Sequence, residues 1–502
     1  DGYADVIVGA RFYDNGQNNE GAAFVYMGSP TGLSSSAAWM TEGNQASGAY
    51  GFSTSTAGDV NGDGYDDVIV GAQDYNNGQN GEGRAWLYLG SSSGLALTPS
   101  WTGESNQNGA QFGTSVGTAG DVNGDGYADV IVGAQRYTNT EIQEGRAWVY
   151  LGGATGLSTT AVWFAESRQH DAEFGQAVST AGDVNGDGYS DVLIGALQYD
   201  NGQSNEGRVF VYLGSASGPA LNPAWTFESN QTTAYLGFSL GTAGDVNGDG
   251  YSDIIVGSDQ YDNGQNNEGR AFLFHGSATG PSATPDWTVE GNQADASLGR
   301  QVFSAGDLNG DGYSDVIVSA RAYTNGQTQE GRAYIYMGSA AGLALTPAWT
   351  TEGDQATSRY GGSAAVAGDV NGDGYSDVIV TASLYDNGQT DEGRAFLFHG
   401  SSKGLAAAPG ATVEGGQDGA SLGVSVASAG DVNGDGFSDL ILGADRFDNG
   451  ESDEGRVFLH LGSAAGPSAS PAWSAEGAQA DALFGHSVAS AGDVNGDGYS
   501  DV

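Results

Sequence analysis

The chain has 502 residues, no cysteine and a formal net charge of −47, because 62 Asp and Glu stand against 15 Lys and Arg. The lack of cysteine excludes disulfides, thiolate metal sites and cysteine nucleophiles, and the excess of acid argues against nucleic acid or anionic membrane as partners. No apolar run approaches the ~18–20 residues of a membrane helix, so we expect no membrane insertion. The carboxylates either keep the surface soluble or bind cations, and their spacing decides between these interpretations.

One phrase of sequence repeats along the whole chain. Asp-Val-Asn-Gly-Asp-Gly-Tyr begins at Asp59 and returns every 62 residues, with Leu308 in place of Val and Phe437 in place of Tyr as the departures. A period of this length with several strands per unit is typical of a β-propeller. Because residues 497–502 repeat the phase of residues 1–6, we expect the chain to be part of a longer repeat protein.

Each unit contains the signals of four short strands and none of a helix. In one unit these are a small-residue strand at 112–120, an apolar run at 130–134, an alternating segment at 146–152 and a fourth strand at 161–165. The fold class we predict is all-β, a β-propeller of four-stranded blades built from eight repeats. It is eight-bladed if the ring closes, and a seven-bladed ring or an open repeat array are the alternatives.

The chain is expected to form one domain over residues 1–502. Because it enters the repeat at a second strand and ends with a first strand, one blade would be shared by both ends of the chain. The expected blades are 50–111, 112–173, 174–235, 236–297, 298–359, 360–421 and 422–483, with 484–502 plus 1–49 as the shared closing blade.

The acidic phrase is the strongest chemical signal. Its positions one, three, five and nine carry Asp, Asn, Asp and Asp, position six is Gly, and the carbonyl of position seven can add a ligand. Calcium takes about six to eight oxygen ligands in flexible geometry, so we expect about one Ca²⁺ per repeat. The candidate ligands are Asp59, Asn61, Asp63, Tyr65, Asp67, Asp121, Asn123, Asp125, Tyr127, Asp129, Asp183, Asn185, Asp187, Tyr189, Asp191, Asp245, Asn247, Asp249, Tyr251, Asp253, Asp307, Asn309, Asp311, Tyr313, Asp315, Asp369, Asn371, Asp373, Tyr375, Asp377, Asp431, Asn433, Asp435, Phe437, Asp439, Asp493, Asn495, Asp497, Tyr499 and Asp501, with Asp1 and Asp5 at the start of the chain.

This loop differs from an EF-hand. Position twelve is Val70 instead of Glu, and strands rather than helices flank the loop. Mg²⁺ is disfavoured because it prefers rigid octahedral geometry, and softer metals because Cys is absent and His is not clustered. The alternative is an Asx-rich turn that holds no metal.

The residues around the loop resemble an FG-GAP repeat. Phe112-Gly before the loop and Val132-Gly-Ala after it enclose Asp121-Val-Asn-Gly-Asp-Gly, and the resemblance covers essentially the whole chain. It implies a four-stranded blade with a calcium loop between the first two strands, as in the integrin α-subunit propeller and related bacterial extracellular proteins. The Pro of the name is absent here, and integrin propellers have seven blades where this chain has eight periods.

Three other features recur with the same period. A Trp recurs from Trp39 onward at seven of eight equivalent positions, with Ala411 at the other, and it is interpreted as blade packing or, alternatively, as a ring of sugar-stacking platforms. Glu-Gly-Arg, as at Glu82 and Arg84, predicts an ion pair between residues two apart in a strand. The Tyr-x-Asn-Gly-Gln loop, as at 13–17, is either a solvated connection or a recognition surface.

No catalytic constellation stands apart from the acidic loops, so we expect no enzyme. The leading hypothesis is a calcium-stabilised extracellular or cell-surface propeller, secreted, that acts as a structural, adhesive or protein-interaction module, with self-assembly into a larger surface structure as one form of that role. The alternatives are a lectin-like carbohydrate-binding propeller and a non-catalytic domain attached to an extracellular enzyme. The protein or glycan ligand is unknown at this level.

Overall fold

The computed structural model describes residues 4–490, and every regular element in that part of the chain is a β-strand. None of it forms a helix of the length and apolar character that crossing a membrane would require. From the N-terminus the strands are β1 (Val6–Ala10), β2 (Ala22–Tyr26), β3 (Trp39–Glu42), β4 (Ser53–Gly58), β5 (Asp67–Ala72), β6 (Arg84–Tyr88), β7 (Trp101–Glu104), β8 (Phe112–Gly120), β9 (Asp129–Ala134), β10 (Arg146–Tyr150), β11 (Trp163–Glu166), β12 (Phe174–Gly182), β13 (Asp191–Ala196), β14 (Arg208–Tyr212), β15 (Trp225–Glu228), β16 (Ser239–Gly244), β17 (Asp253–Ser258), β18 (Arg270–Phe274), β19 (Trp287–Glu290), β20 (Leu298–Gly306), β21 (Asp315–Ala320), β22 (Arg332–Tyr336), β23 (Trp349–Glu352), β24 (Tyr360–Gly368), β25 (Asp377–Ala382), β26 (Arg394–Phe398), β27 (Ala411–Glu414), β28 (Ser425–Gly430), β29 (Asp439–Ala444), β30 (Arg456–His460), β31 (Trp473–Glu476) and β32 (Ser487–Ser490).

The strands of this part of the chain form eight antiparallel four-stranded sheets, which are the blades of a ring. Blade I contains β32 and β1–β3, and blades II to VIII each take four consecutive strands, from β4–β7 to β28–β31. The first strands of neighbouring blades contact one another all round the ring, so they line its axis. The all-β propeller is therefore confirmed with eight blades, and the seven-bladed ring and the open array do not hold.

Blade I joins the two ends of the chain. Strand β32 pairs with β1, with Val8 opposite Val488. The ring of Phe24 lies edge-on to that of Phe484, with 5.3 Å between the ring centroids. Residues 1–3 and 491–502 lie outside the described residues, and with them most of the two segments, 1–6 and 497–502, that share one phase of the repeat.

The hydrophobic core lies between the blades. Eight core clusters are found in residues 4–490, and each combines residues from two consecutive blades. On β1, for example, Val8 packs toward blade VIII and Ile7 packs toward blade II. Because both faces of each second strand are covered, these strands are continuous apolar runs rather than alternating ones.

The antiparallel order places the connections on two opposite rims. First-to-second and third-to-fourth strand connections lie together at one end of a blade, and the remaining connections lie at the other end. We name the first end the acidic-loop rim, because it carries residues 121–128 and their equivalents. The second end, which carries loops such as 135–145 and fourth-to-first connections such as 167–173, is named the Asn-Gly rim.

Candidate metal centre

The acidic loop of blade III shows how the backbone holds its carboxylates together. Asp121 accepts hydrogen bonds through Oδ1 from the amides of Gly124 (2.6 Å) and Asp125 (3.1 Å), and through Oδ2 from Gly126 (2.8 Å). Oδ1 of Asn123 accepts the Asp125 amide at 3.0 Å, and Oδ1 of Asp125 accepts that of Tyr127 at 3.1 Å. Gly126 has a φ of 89°, which other residues rarely adopt. The turn therefore gathers the oxygen-bearing side chains of positions one, three and five.

Position nine is different because its carboxylate is buried. Asp129, the first residue of β9, is fully buried, and its oxygens accept the amides of Val122 and Gly152, each at 2.8 Å. Burial raises the pKa of Asp129 to about 7 against the opposing effect of these two hydrogen bonds, and the charges of Asp121 and Asp125 raise it further. A buried acid held beside two others is a site where a bound cation relieves both desolvation and repulsion.

The same environment recurs around the ring. Burial raises the pKa of the position-nine Asp to about 7 in Asp67, Asp191 and Asp439 and to about 6 in Asp253 and Asp315. In Asp377 burial again raises the pKa, and Nδ1 of His399 lies 3.0 Å from its Oδ2. None of these seven carboxylates from Asp67 to Asp439 has a Lys or Arg nitrogen within 4.0 Å among the described residues.

The donor set fits a hard divalent cation. It consists of carboxylate and amide oxygens, and each carboxylate oxygen that accepts a backbone amide keeps a further lone pair. Calcium prefers such oxygens and tolerates irregular geometry. When bound, Ca²⁺ would be held by the side chains of positions one, three, five and nine and would supply the charge that the buried acid lacks.

Neighbouring acidic loops are joined to each other. The amide of Ser190 donates to the carbonyl of Asp121 in the preceding blade at 2.9 Å. A Cβ on Gly124 would lie 2.6 Å from Cε1 of Tyr189, so the aromatic ring of one loop packs directly on the glycine of the loop before it. The amide of Ala4 donates to the carbonyl of Asp431 at 3.1 Å and links blade I to blade VIII. An ion in one loop would therefore also restrain the next.

Most of the predicted ligands lie together as the sequence suggests. The seven loops that start at positions 59, 121, 183, 245, 307, 369 and 431 each hold positions one, three and five in one turn, and the carboxylate of position nine accepts the amide of position two. Asp5 is buried, and its Oδ1 accepts the amide of Gly28 at 2.8 Å. Asp1 and the predicted ligands Asp493, Asn495, Asp497, Tyr499 and Asp501 lie outside the described residues. Which of these groups coordinate an ion remains a prediction.

The repeated Trp residues join blades at their outer edge. Trp163 is 3% exposed, its Nε1 donates to the carbonyl of Ala220 in the next blade at 2.8 Å, and its ring meets that of Tyr212 edge-on with 4.8 Å between centroids. Trp473 closes the circle by donating to the carbonyl of Ser34 at 2.8 Å. The packing interpretation is supported, and such covered indole faces offer no platform for sugars.

The sequence predicts that the Glu and the Arg of Glu-Gly-Arg pair with each other, and this prediction is wrong, because the Arg pairs with a different Glu. Oε1 of the buried Glu392 accepts the amide of Asn387 at 2.6 Å, whereas Arg394 lies 3.4 Å from Glu414 on the fourth strand. Antiparallel register places Arg394 directly opposite Glu414. The same pairing joins Arg84 with Glu104, Arg146 with Glu166, Arg208 with Glu228, Arg270 with Glu290, Arg332 with Glu352 and Arg456 with Glu476.

A repeated Gln joins the blades on the Asn-Gly rim, and the sequence interpretation missed it. Gln355 donates from Nε2 to the carbonyl of Asp386 (2.7 Å) and accepts the amide of the same residue through Oε1 (2.6 Å). Its recurrence in all eight repeats was the signal that could have found it. Equivalent bonds reach the next blade from Gln45, Gln107, Gln169, Gln231, Gln293, Gln417 and Gln479.

Among residues 4–490, one group of three carboxylates has oxygens that all lie within 4.8 Å of one another, and it lies on the Asn-Gly rim rather than in an acidic loop. The group consists of Glu330, Glu352 and Asp354. Arg332 lies 2.8 Å from Glu352 and balances part of the charge. This cluster is separate from the acidic loops.

Comparison with known proteins gives the family. The family model described as FG-GAP repeat matches residues 50–88, 112–150, 174–212, 236–274, 300–336, 361–398 and 422–460, more than half of the chain. Each matched segment begins near a first strand and ends at the close of a third strand. The acidic loop therefore lies inside every match.

The similar curated proteins are integrin α subunits. Integrin alpha-PS2 of Drosophila melanogaster is 35% identical over 216 residues, which is 40% of this chain and 14% of that protein. Integrin alpha-V of Gallus gallus is 32% identical over 214 residues, which is 40% of this chain and 19% of that protein. This chain thus spans less than a fifth of the length of either relative. With FG-GAP repeats over more than half of its length, the chain belongs to the FG-GAP repeat family, and its propeller is similar to that of integrin α subunits.

Proposed function

We propose that this chain is a calcium-stabilised extracellular propeller that serves as a structural, adhesive or protein-interaction module. The observation that carries the proposal is the repeated buried Asp at position nine, such as Asp129, which lies beside two further carboxylates with no Lys or Arg within 4.0 Å among the described residues. The relatives named as integrin α subunits support an adhesive or protein-binding role.

Calcium explains why so much charge is concentrated in the loops. Carboxylates forced together repel one another, and burial adds a desolvation cost for the position-nine acid. A hard divalent cation removes both penalties, and Ca²⁺ is the one whose flexible coordination suits an irregular loop. Because extracellular calcium is abundant, even weak sites would be filled outside cells.

The summed effect on stability is large. With free calcium at about twenty times the Kd, each site adds roughly 1.8 kcal/mol to the free energy of unfolding. Eight sites would together match the ~5–15 kcal/mol that is typical of a whole domain. Since most of the described loops are bonded to the next, an ion in one loop also stabilises its neighbour. We propose a non-catalytic role in which the metal is structural.

Thermal melting in saturating calcium, in EGTA and in EGTA with excess magnesium tests the proposal. For eight sites we expect the Tm to fall by roughly 10–15 °C when calcium is removed. Magnesium should restore little of the loss, because it gives up its water shell reluctantly. The same Tm with and without calcium would contradict the proposal and favour the metal-free Asx turn.

A further inference from the structure

The repeats differ most where the second strand ends and the first strand begins on the Asn-Gly rim. The position of Arg321 holds Arg in two blades but Gln, Leu, Asp or Ser in the others, and the position of Arg359 varies as widely. Arg359 directly precedes the first strand β24, and Arg321 follows Ala320 of β21, which is paired with the first strand β20, so both positions lie on the axial side of the rim. In a chain of near-identical units, this is where the symmetry is broken.

The few unrepeated basic residues collect at these positions. Of the 15 Lys and Arg, seven are the third-strand Arg residues already paired with fourth-strand Glu, which leaves eight. Five of those eight belong to variable positions on one side of the ring: Arg11, Arg300, Arg321, Arg359 and Arg446. Such clustering is unexpected in a chain with a net charge of −47.

Four of these five residues, all except Arg300, line a continuous groove. One cavity of about 460 Å³ is lined by Arg321 and Arg359, and a second of about 420 Å³ by Arg359, Arg11 and Arg446. Arg359 and Leu384 line both cavities, so the two form one groove across blades VI, VII, VIII and I. We call this the arginine groove.

The groove has carboxylates of its own, and three of those at or beside it are bonded to a neighbouring side chain. Asp445 accepts Nδ1 of His486 at 2.8 Å, and Asp259, beside the groove, lies 3.0 Å from Nη1 of Arg300. Asp295 accepts Nδ2 of Asn267 at 3.0 Å, and Asp391 also lines the wall.

Several arginines at the groove lack ion-pair partners among the described residues, and the buried Oδ1 atoms of Asp259 and Asp445 lack hydrogen-bond partners there. Neither Arg321 nor Arg359 forms an ion pair within 4.0 Å in residues 4–490, and Nε of Arg11 is buried there without a hydrogen-bond partner. Burial lowers the pKa of Arg321, and the neighbouring charges of Arg300 and Arg359 lower it further against the opposing effect of Asp259. Like charges held together in this way favour an anion between them.

We propose that the arginine groove binds a carboxylate-rich segment of a partner protein. Guanidinium groups bind carboxylates through paired, charge-assisted hydrogen bonds. A groove that runs over four blades suits an extended peptide whose successive side chains reach Arg321, Arg359 and Arg11. The inference rests on the proposed role as a protein-interaction module, and it adds the site and the chemistry of the partner.

The test measures binding of a fluorescently labelled hexaglutamate peptide to the full chain at constant free calcium, with hexaglutamine as the neutral comparison. The double variant Arg321→Gln, Arg359→Ser uses residues that other blades carry at these positions, as in Gln73 and Ser297. The control is Arg136→Gln, which removes the same charge from the position of Arg446 on the opposite side of the ring and matches Gln198.

We expect hexaglutamate to bind and hexaglutamine not to bind. The double variant should weaken binding roughly tenfold, and the control by less than about twofold. Absence of hexaglutamate binding, equal binding of the two peptides or equal loss in both variants would overturn the assignment. Tighter binding of an oligogalacturonate of equal charge would also overturn it, in favour of an acidic glycan.

The same samples separate this inference from the proposed function. A calcium-dependent Tm without peptide binding would overturn the groove assignment alone. Peptide binding with a calcium-independent Tm would leave the groove assigned and contradict the role of calcium.

Discussion

The two rims of the propeller differ in how strongly their residues repeat from blade to blade. On the acidic-loop rim, every loop of the described residues keeps the same carboxylates, and most of these loops share the same backbone bonds and the same amide-to-carbonyl link to the next loop. Near the axis of the Asn-Gly rim, equivalent positions hold Arg, Gln, Leu, Asp or Ser. The comparison indicates that the residues of the acidic-loop rim stabilise the ring, whereas the variable residues near the axis of the Asn-Gly rim give each blade a different surface.

Away from the axis the two rims are alike, because each carries a bond that joins successive blades. On the acidic-loop rim it is the indole of a residue such as Trp163, and on the Asn-Gly rim it is the amide of a residue such as Gln355. One Trp is missing, since Ala411 takes its place between blades VII and VIII. There Nδ1 of His460 donates to the carbonyl of Ser468 at 2.8 Å, the carbonyl that an indole at position 411 would reach.

Among the substitutions, the largest expected loss of stability comes from removing one of the indoles that join blades. Trp163→Ala removes a buried ring, an edge contact with Tyr212 and a hydrogen bond, so we expect a loss of about 3–5 kcal/mol in the free energy of unfolding. Denaturant unfolding measures it, and Thr226→Ala on the fourth strand of the next blade is the control. A loss below about 1 kcal/mol would show that blade contacts do not depend on this ring.

The second prediction compares the same chemical change on the two rims. Asp125→Asn removes one proposed ligand charge, and we expect it to lower the Tm by about 2 °C in calcium and to leave it unchanged in EGTA. Asp200→Asn on the Asn-Gly rim is the control, because blade II carries Asn76 there. Melting curves under both conditions measure the effects. Equal losses in calcium and in EGTA would indicate a structural turn.

The third prediction concerns the junction without a Trp. Ala411→Trp combined with His460→Phe restores the pair seen as Trp349 and Phe398, so we expect a gain of about 1 kcal/mol. Ala411→Trp alone should gain less, because His460 still holds the carbonyl of Ser468. Chemical denaturation of both variants checks this, and a loss in the double variant would contradict the account.

The fourth prediction separates stability from recognition. Arg321→Gln should change the free energy of unfolding by less than about 0.5 kcal/mol, because the guanidinium forms no ion pair within the described residues and other blades carry Gln there. Denaturant unfolding beside the peptide-binding assay measures both properties. A large loss of stability would show that the variable positions also maintain the ring.

The smallest expected effect is a pH dependence of stability at the junction of blades VII and VIII, where the Trp is missing. Burial lowers the pKa of His460 below the ordinary 6.5, so its folded form stays neutral while the unfolded form binds a proton. The contribution of neutral His460 to the free energy of unfolding is complete above about pH 6.5 and is lost as the pH falls below that value. Position-nine Asp residues titrate in the same range, so the effect is measured as the difference between the profiles of the unsubstituted chain and His460→Phe. The variant should lose the part due to His460, and identical profiles would show that other groups cause it.

Sequence reasoning reached the blades and the acidic loops because both are local and repeated. The predicted first strand at 112–120 matches β8, and the second strand begins at Asp129, one residue before the prediction. The Arg partner was missed, since pairing with a Glu twenty residues away follows from the register of two strands. The arginine groove was missed for the same reason: only closure of the ring brings Arg11 beside Arg359 and Arg446.

Calcium titration of the metal-free protein by calorimetry tests the central claim most directly. One ion per acidic loop predicts about seven to eight calcium ions per chain, with Asp125→Asn weakening or removing one of them. Saturation without measurable binding, or an ion count that Asp125→Asn leaves unchanged, would contradict the claim that the acidic loops are metal sites.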